Sequence, residues 1–277
     1  MSAAATAFAE RYGPWAVVTG ASEGIGREFA RQLAERGLHL VLVARRGPVL
    51  HALADELTNL HGVQSRVIVA DLSDMNAVHA MADAATDLDV GLLVAAAGFG
   101  TSGPLLTASL ATETEMVDLN CTGVLALSWH FARRFAARRR GGVVLMSSLL
   151  AFQGVPRAAN YAATKAYVQT LAEGLRVELA PFGVDVLASA PGPVRSGFAD
   201  RADMRMSMAL GPQVVARVTL NALGRKTTVR PGWLSKLLGW SLATLPRWGQ
   251  VMVITQVMNG MTGHQPEHPI ASRRPAS

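Results

Sequence analysis

Cysteine is nearly absent: Cys121 stands alone among 277 residues, so no disulfide can form within the chain. A chain without a covalent staple suits a reducing compartment. Aromatic residues make up only 6% and charged residues 17%. With few rings to stack bases and no long basic stripe, nucleic-acid binding is not expected. The net charge of +6 still favours anionic cofactors or lipid headgroups. The seven His residues are scattered and offer no HExxH or similar ligand spacing, so no catalytic metal is expected. Long hydrophobic runs are missing too. The stretches Val90 to Ala97 and Leu237 to Pro246 fall well short of the ~20 residues of a spanning helix. The first 20 residues lack the ordered basic flank, apolar core and cleavage site of a secretory signal, so a cytoplasmic location is expected.

What is present is apolar residue, 50% of the chain, enough for a large core. Short apolar runs alternate with amphipathic stretches. Strands are expected at Trp15 to Val18, His39 to Ala44, Arg66 to Ala70, Val90 to Ala97, Gly142 to Met146 and Val184 to Ala188. Helical spacing lies between them, including an interrupted helix over Thr112 to Arg139 and another over Ala158 to Ala180. Such alternation implies an α/β fold, a doubly wound parallel sheet of Rossmann type. One domain is expected over residues 10–265, with C-terminal helices over the substrate. Residues 197–261 would form the substrate pocket and an interface, and 266–277 a flexible tail.

The first turn reads TGASEGIG, from Thr19 to Gly26. Gly20, Gly24 and Gly26 let the chain tighten and approach a pyrophosphate, while the following helix N-terminus supplies N–H groups and positive dipole. A purely structural glycine turn is the alternative. The second strand ends in Ala44, Arg45 and Arg46. An acidic residue to hold a free ribose is missing there, and Arg45 suits a 2′-phosphate. Solvated surface arginines are the alternative. Glu23, inside the loop, either faces solvent or pairs with an arginine. Asp71 lies where an adenine pocket would be, and could equally cap a helix.

Tyr161 and Lys165 are four residues apart on one helix face, behind Ser147 and Ser148 at a strand end. A lysine ammonium beside a phenol is expected to lower its pKa and prepare it for proton exchange. A core-edge Tyr and a surface Lys are the alternative. Asn120 interrupts the helical pattern within DLNCTG, and its burial would demand a hydrogen-bonding role. Cys121 has no activating neighbour at motif spacing and reads as a core residue.

Together these motifs resemble the short-chain dehydrogenase/reductase family over about Pro14 to Phe198. TGASEGIG resembles its TGxxxGxG loop, YAATK its YxxxK motif, and PGPVRS at Pro191 to Ser196 its PGxVxT run. Ser148 lies thirteen residues before Tyr161, the family's usual separation. One departure stands out: NNAG becomes AAAG at Ala95 to Gly98, which loses two side-chain amides that support the sheet.

The resemblance implies Asn120, Ser148, Tyr161 and Lys165 as catalytic residues. Ser148 would bind the carbonyl oxygen, Tyr161 deliver the proton, Lys165 hold the ribose, and Asn120 hold a water. The cofactor is expected to be NADP. Its binding set comprises Gly20, Ser22, Gly24, Ile25, Gly26, Arg45, Asp71, Leu72, Ala97, Gly98, Tyr161, Lys165, Pro191, Gly192, Val194 and Ser196. The reaction implied is hydride transfer between NADP(H) and a carbonyl or alcohol carbon, EC 1.1.1.-. The stretches GASEGIG and LVLVARR resemble members acting on steroids, fatty acyl chains and other apolar ketones, while members of the family resemble one another least in the substrate half. Alternatives are a catalytically weak NADP-binding scaffold, a redox-sensing regulator, or an epimerase or lyase.

An apolar pocket is expected from Ala151 to Gly154, Phe198 and Met204 to Met208, with no pair of positive groups placed to clamp a carboxylate. A homodimer or homotetramer is expected, with Leu171, Leu175 and Leu179 facing outward. Segment Gly232 to Met261 is rich in Trp and Leu between basic residues, the composition of an interfacial helix. Packing on the core, pocket or another subunit is the favoured account of it over peripheral membrane contact.

Overall fold

The computed structural model describes residues 3–205, 209–232 and 245–265. Strand β1 (Trp15–Thr19) shows how its sequence builds the layers. Ala16 and Val18 point into one core cluster and Val17 into the other, because side chains alternate along a strand. Both faces are covered, so the strands are apolar on both sides. The others are β2 (His39–Ala44), β3 (Ser65–Val69), β4 (Val90–Ala95), β5 (Gly141–Met146), β6 (Val184–Ser189) and β7 (Thr228–Val229). They form one sheet in the order β3-β2-β1-β4-β5-β6-β7, and every pair is parallel.

One face carries α2 (Gly24–Glu35), α3 (Gly47–His61) and α9 (Pro212–Ala222), which bury Phe29, Leu33, Leu53 and Leu220. The other carries α4 (Met75–Asp83), α6 (Val124–Arg138) and α7 (Ala159–Leu179), with Met81, Phe131, Phe135 and Val168 buried. Each such side chain contributes about 1.5–3 kcal/mol relative to exposure. Strand order reverses between β1 and β4, and this switch opens a crevice at the strand C-termini.

The strand and helix positions read from the sequence hold to within about two residues at most ends, the usual scatter of element boundaries. The long helix breaks into α5 (Leu110–Val117), a π-helical turn over Asp118–Gly123, and α6. Among the elements not foreseen are α1 (Ala3–Tyr12), the short strand β7 and the last helix α10 (Arg247–Thr262). Tyr12 of α1 is buried and donates a hydrogen bond to Asp185 Oδ2 at 2.7 Å.

The outward stripe expected on α7 is corrected. Leu171, Leu175 and Leu179 are half-buried against the core, and the same helix exposes Tyr167 and Val177 instead. The 3.6-residue repeat puts the spacing of the three leucines on one face, and the sheet takes that face. Met206, Met208, residues 233–244 of the Trp- and Leu-rich segment and the tail 266–277 lie outside the described residues.

Candidate active site

The turn after β1 is fixed by close approach. Gly20 has φ 67°, and a Cβ there would stand 2.9 Å from the Ala97 backbone. At Gly26 a Cβ would meet the Gly20 carbonyl at 2.2 Å, so the first turn of α2 can lie on β1 only as glycine. The result is a helix N-terminus aimed into a cleft of about 650 Å³. Every residue expected to bind cofactor lines this cleft, from Gly20 through Asp71 and Gly98 to Ser196.

The basic end of the cleft holds both Arg45 and Arg46. Arg45 lies 3.5 Å from Asp71 Oδ2 and 3.5 Å from Glu115 Oε1. Arg46 pairs with Glu23 at 2.7 Å and donates to Ser22 Oγ at 3.2 Å. Glu23 is thus the partner of an arginine, and Arg46 joins the site as a residue that the sequence reading passed over. Asp71 accepts from the Ser73 N–H and hydroxyl, which sets the turn after β3. The cap of α4 is Asp74, which accepts from Asn76, so capping does not account for Asp71.

At the other end β5 delivers Ser148 and α7 delivers Tyr161 and Lys165. All three are buried. Ser147 donates to the Lys165 carbonyl, which locks strand end to helix. The expected lowering of the phenol pKa is reversed. Burial pushes Tyr161 up to about 12, against the hydrogen bond with Ser148, and pulls Lys165 down to about 8. The lysine Nζ donates to the Met146 carbonyl and stands 5.7 Å from the Tyr161 ring centre, so desolvation outweighs the pairing.

Asn120 lies under the cleft rather than in its wall. Its Oδ1 accepts from the Phe99 N–H, and its Nδ2 donates to the Phe99 carbonyl and to Thr164 Oγ1. This pair of hydrogen bonds to one residue, with the Ala97 N–H on Thr19 Oγ1, ties down the loop after β4. The π turn carries Asn120 inward, as such bulges do at functional sites. Cys121, expected in the core, is only half-buried, and burial pushes its thiol up, away from a reactive thiolate.

The apolar part of the cleft is built differently from expectation. Phe198 and Met204 line it, but Ala151 to Gly154 do not. The single 3-10 turn at Leu149–Phe152 aims Leu149 and Leu150 at the cleft and turns Ala151 into the core. Helix α10 supplies Ile254, Val257, Met258 and Met261 as a roof. Phe198 packs on Tyr161 with ring centres 5.3 Å apart. The short helix α8 (Phe198–Arg201) and the turn after it also bring Arg201 and Arg205 to the rim, two positive groups that the sequence did not reveal as neighbours.

Comparison with known proteins finds similar chains. The family model described as short chain dehydrogenase matches residues 14–206. A 7beta-hydroxysteroid dehydrogenase of Clostridium sardiniense is 33% identical over 83% of this chain and 89% of its own. A very-long-chain 3-oxoacyl-CoA reductase of Podospora anserina is 35% identical over 82% of this chain and 70% of its own. The solved structure of a short-chain dehydrogenase from Sphingobium yanoikuyae in complex with NADPH superposes with a TM-score of 0.77 and 28% identity, covering 85% of this chain and 97% of that one.

Proposed function

The chain belongs to the short-chain dehydrogenase family, and from that premise we propose that it reduces the carbonyl group of an apolar substrate, or oxidises the matching alcohol, through Tyr161. It is an NADP(H)-dependent oxidoreductase that works by hydride transfer. The residues fit that cofactor. Arg45 and Arg46 offer positive charge at one end, the glycine turn offers N–H groups, and a Cβ at Gly24 would fill space 3.0 Å from Ser196.

Bound there, NADPH supplies the hydride for the carbonyl carbon. Ser148 holds the carbonyl oxygen as negative charge develops on it. Tyr161, protonated at neutral pH with a pKa of about 12, donates its proton to that oxygen. Lys165 fixes the ribose side, and Asn120 positions the floor through Phe99. The observation that carries this reading is the meeting of Ser148, Tyr161 and Lys165 at the apolar end of a cleft whose other end is cationic. The apolar lining, and the steroid and acyl substrates named for the relatives above, favour a hydrophobic ketone.

NADPH consumption across aldehydes, ketosteroids and oxoacyl compounds tests it, with alcohol product measured alongside. Equal consumption and product formation is expected. Turnover without net consumption points to an epimerase or lyase, and binding without turnover to a scaffold. A peripheral membrane contact is the second reading, favoured by the exposed Trp248 and Met252 on α10, the helix that roofs the pocket. No helix among the described residues is long and apolar enough to cross a membrane.

A further inference from the structure

The rim of the apolar end carries positive charge that the hydride-transfer chemistry does not use. Five cations line the cleft: Arg45, Arg46, Lys165, Arg201 and Arg205. Arg45 and Arg46 have carboxylate partners at the cofactor end, and Lys165 belongs to the ribose side, with one hydrogen bond to the Met146 carbonyl. Arg201 lies over the Phe99 ring, 3.6 Å from its centre, and reaches Glu115 at 3.4 Å. Glu115 is already shared with Arg45. Arg205 is different. Among the described residues its guanidinium makes no hydrogen bond or close ion pair, and the carboxylate whose charge it feels is that of Asp203. Its neighbour Asp203 is engaged by His264 Nε2 at 2.9 Å.

The position of Arg205 is defined all the same. Its main-chain N–H donates to the Met261 carbonyl at 2.9 Å, and Met261 belongs to the apolar roof. The preceding residue, Met204, is buried against Tyr161, Phe99 and Met258 in one cluster. A guanidinium therefore stands at the open edge of a pocket whose interior is apolar and whose floor holds the reacting groups. A wholly apolar ketone would leave its N–H donors without a hydrogen-bond partner among the described residues, with only the charge of Asp203 nearby, whereas an anionic group would meet a planar fork suited to carboxylate or phosphate oxygens.

We infer that the substrate is an amphiphilic anion: an apolar body carrying the carbonyl to Tyr161, and a carboxylate or phosphate group at its other end held by Arg205 with Arg201 beside it. This rests on the reading of the site as a carbonyl reductase and names the substrate class more closely. The sheath of Met204, Met258 and Met261 takes the body, and the rim reads the charge.

Two probe pairs test it, a ketosteroid bearing a side-chain carboxylate against its methyl ester, and a long-chain 3-oxoacyl coenzyme A thioester against the uncharged N-acetylcysteamine thioester. In at least one pair the charged member should show a KM about 5-fold below its neutral partner. Which pair does so separates carboxylate from phosphate recognition. Arg205→Leu should bring that ratio close to 1, and Arg205→Lys should restore most of it. Arg66→Leu, which removes a charge on β3 at the sheet's far edge, should leave the ratio as it is. Equal KM values within both pairs, or an Arg205→Leu effect shared equally by charged and neutral probes, would overturn the inference. Should no probe be reduced, the carbonyl-reductase reading fails. Equilibrium dialysis of the acid and its ester against NADP-saturated protein then still scores the rim, and equal affinities overturn the inference separately.

Discussion

Lys165 gives its Nζ hydrogen to the main-chain carbonyl of Met146, 2.9 Å away, although Tyr161 lies one helical turn before it. The lysine therefore braces the end of β5, and the phenol is left to the effects of burial and of Ser148. With Tyr161 raised to about 12, the proton-donating form prevails across the neutral range. The rate of carbonyl reduction should be nearly flat between about pH 6 and 8. Alcohol oxidation needs the phenolate, the scarce form, and should climb up to about tenfold per pH unit over the same range. Initial rates in both directions at saturating cofactor check this, and an oxidation rate that falls as pH rises would remove Tyr161 as the base.

Replacing Tyr161 by Phe keeps the ring against Phe198 and deletes only the transferable proton. Turnover should fall by about 100- to 10,000-fold, the usual contribution of general acid–base catalysis. NADPH affinity, read by fluorescence titration, should stay within about 3-fold, as expected when only a transition-state contact is lost. Retention of full turnover would falsify the assignment.

The basic end sets cofactor choice. Arg45→Ala should lower kcat/KM for NADPH by about 10-fold or more, with little change for NADH, since a charge-assisted bond to phosphate is lost. Arg46→Ala should act in the same sense. Glu23→Gln releases Arg46 from its 2.7 Å partner and should tighten NADPH binding. Unchanged NADPH to NADH ratios in both arginine variants would mean that neither reads the 2′-phosphate.

A homodimer or homotetramer is expected, formed through the face where α6 exposes Leu125 and Trp129 and α7 exposes Tyr167 and Val177. Trp129 is 54% exposed and already stacked under Arg133, with the guanidinium 4.6 Å from the ring. Light scattering at micromolar concentration should report the oligomer, and Trp129→Asp should shift it towards monomer. A wild-type monomer would defeat the expectation.

At α10 the exposed faces of Trp248 and Met252 should bring part of the protein up with anionic liposomes at low salt, and less with neutral ones. Trp248→Ala should reduce the floated fraction. Recovery of all protein below the liposomes in both cases would leave pocket or subunit packing as the role of this helix.

Most of the sheet was legible because β1, β2, β4, β5 and β6 are short, predominantly apolar runs between turns, and burial on two faces permits little else, while the edge strand β3 keeps a Val-Ile-Val run after Ser65 and Arg66. The nucleotide loop and the Ser148, Tyr161 and Lys165 set were legible through spacing. Other features were not. Helix α1 is half alanine, which marks neither face, and α10 carries apolar residues all round, so no period betrays it. Strand β7 is two residues long. The pKa of Tyr161 was misread because spacing gives the neighbour and not the burial. Arg205 falls within the Met204 to Met208 stretch expected at the pocket, but that stretch was read as apolar, and the place of the guanidinium at the rim depends on a turn whose direction is set by the contact with Met261.

The π turn at Asp118–Gly123 gives this helix an unusual sensitivity to length. An i→i+5 turn accommodates one residue more than an α turn over the same rise, so the surplus is absorbed locally and α5 and α6 stay aligned. Elsewhere in a helix, loss of one residue swings everything beyond it by about 100°. Loss of Cys121 would instead heal the bulge into continuous α-helix, leave the outer face of α6 where it is, and withdraw Asn120 from beneath Phe99. Chain length here trades the regularity of a helix against the floor of the cleft, so a one-residue deletion should leave the protein well folded and poorly active.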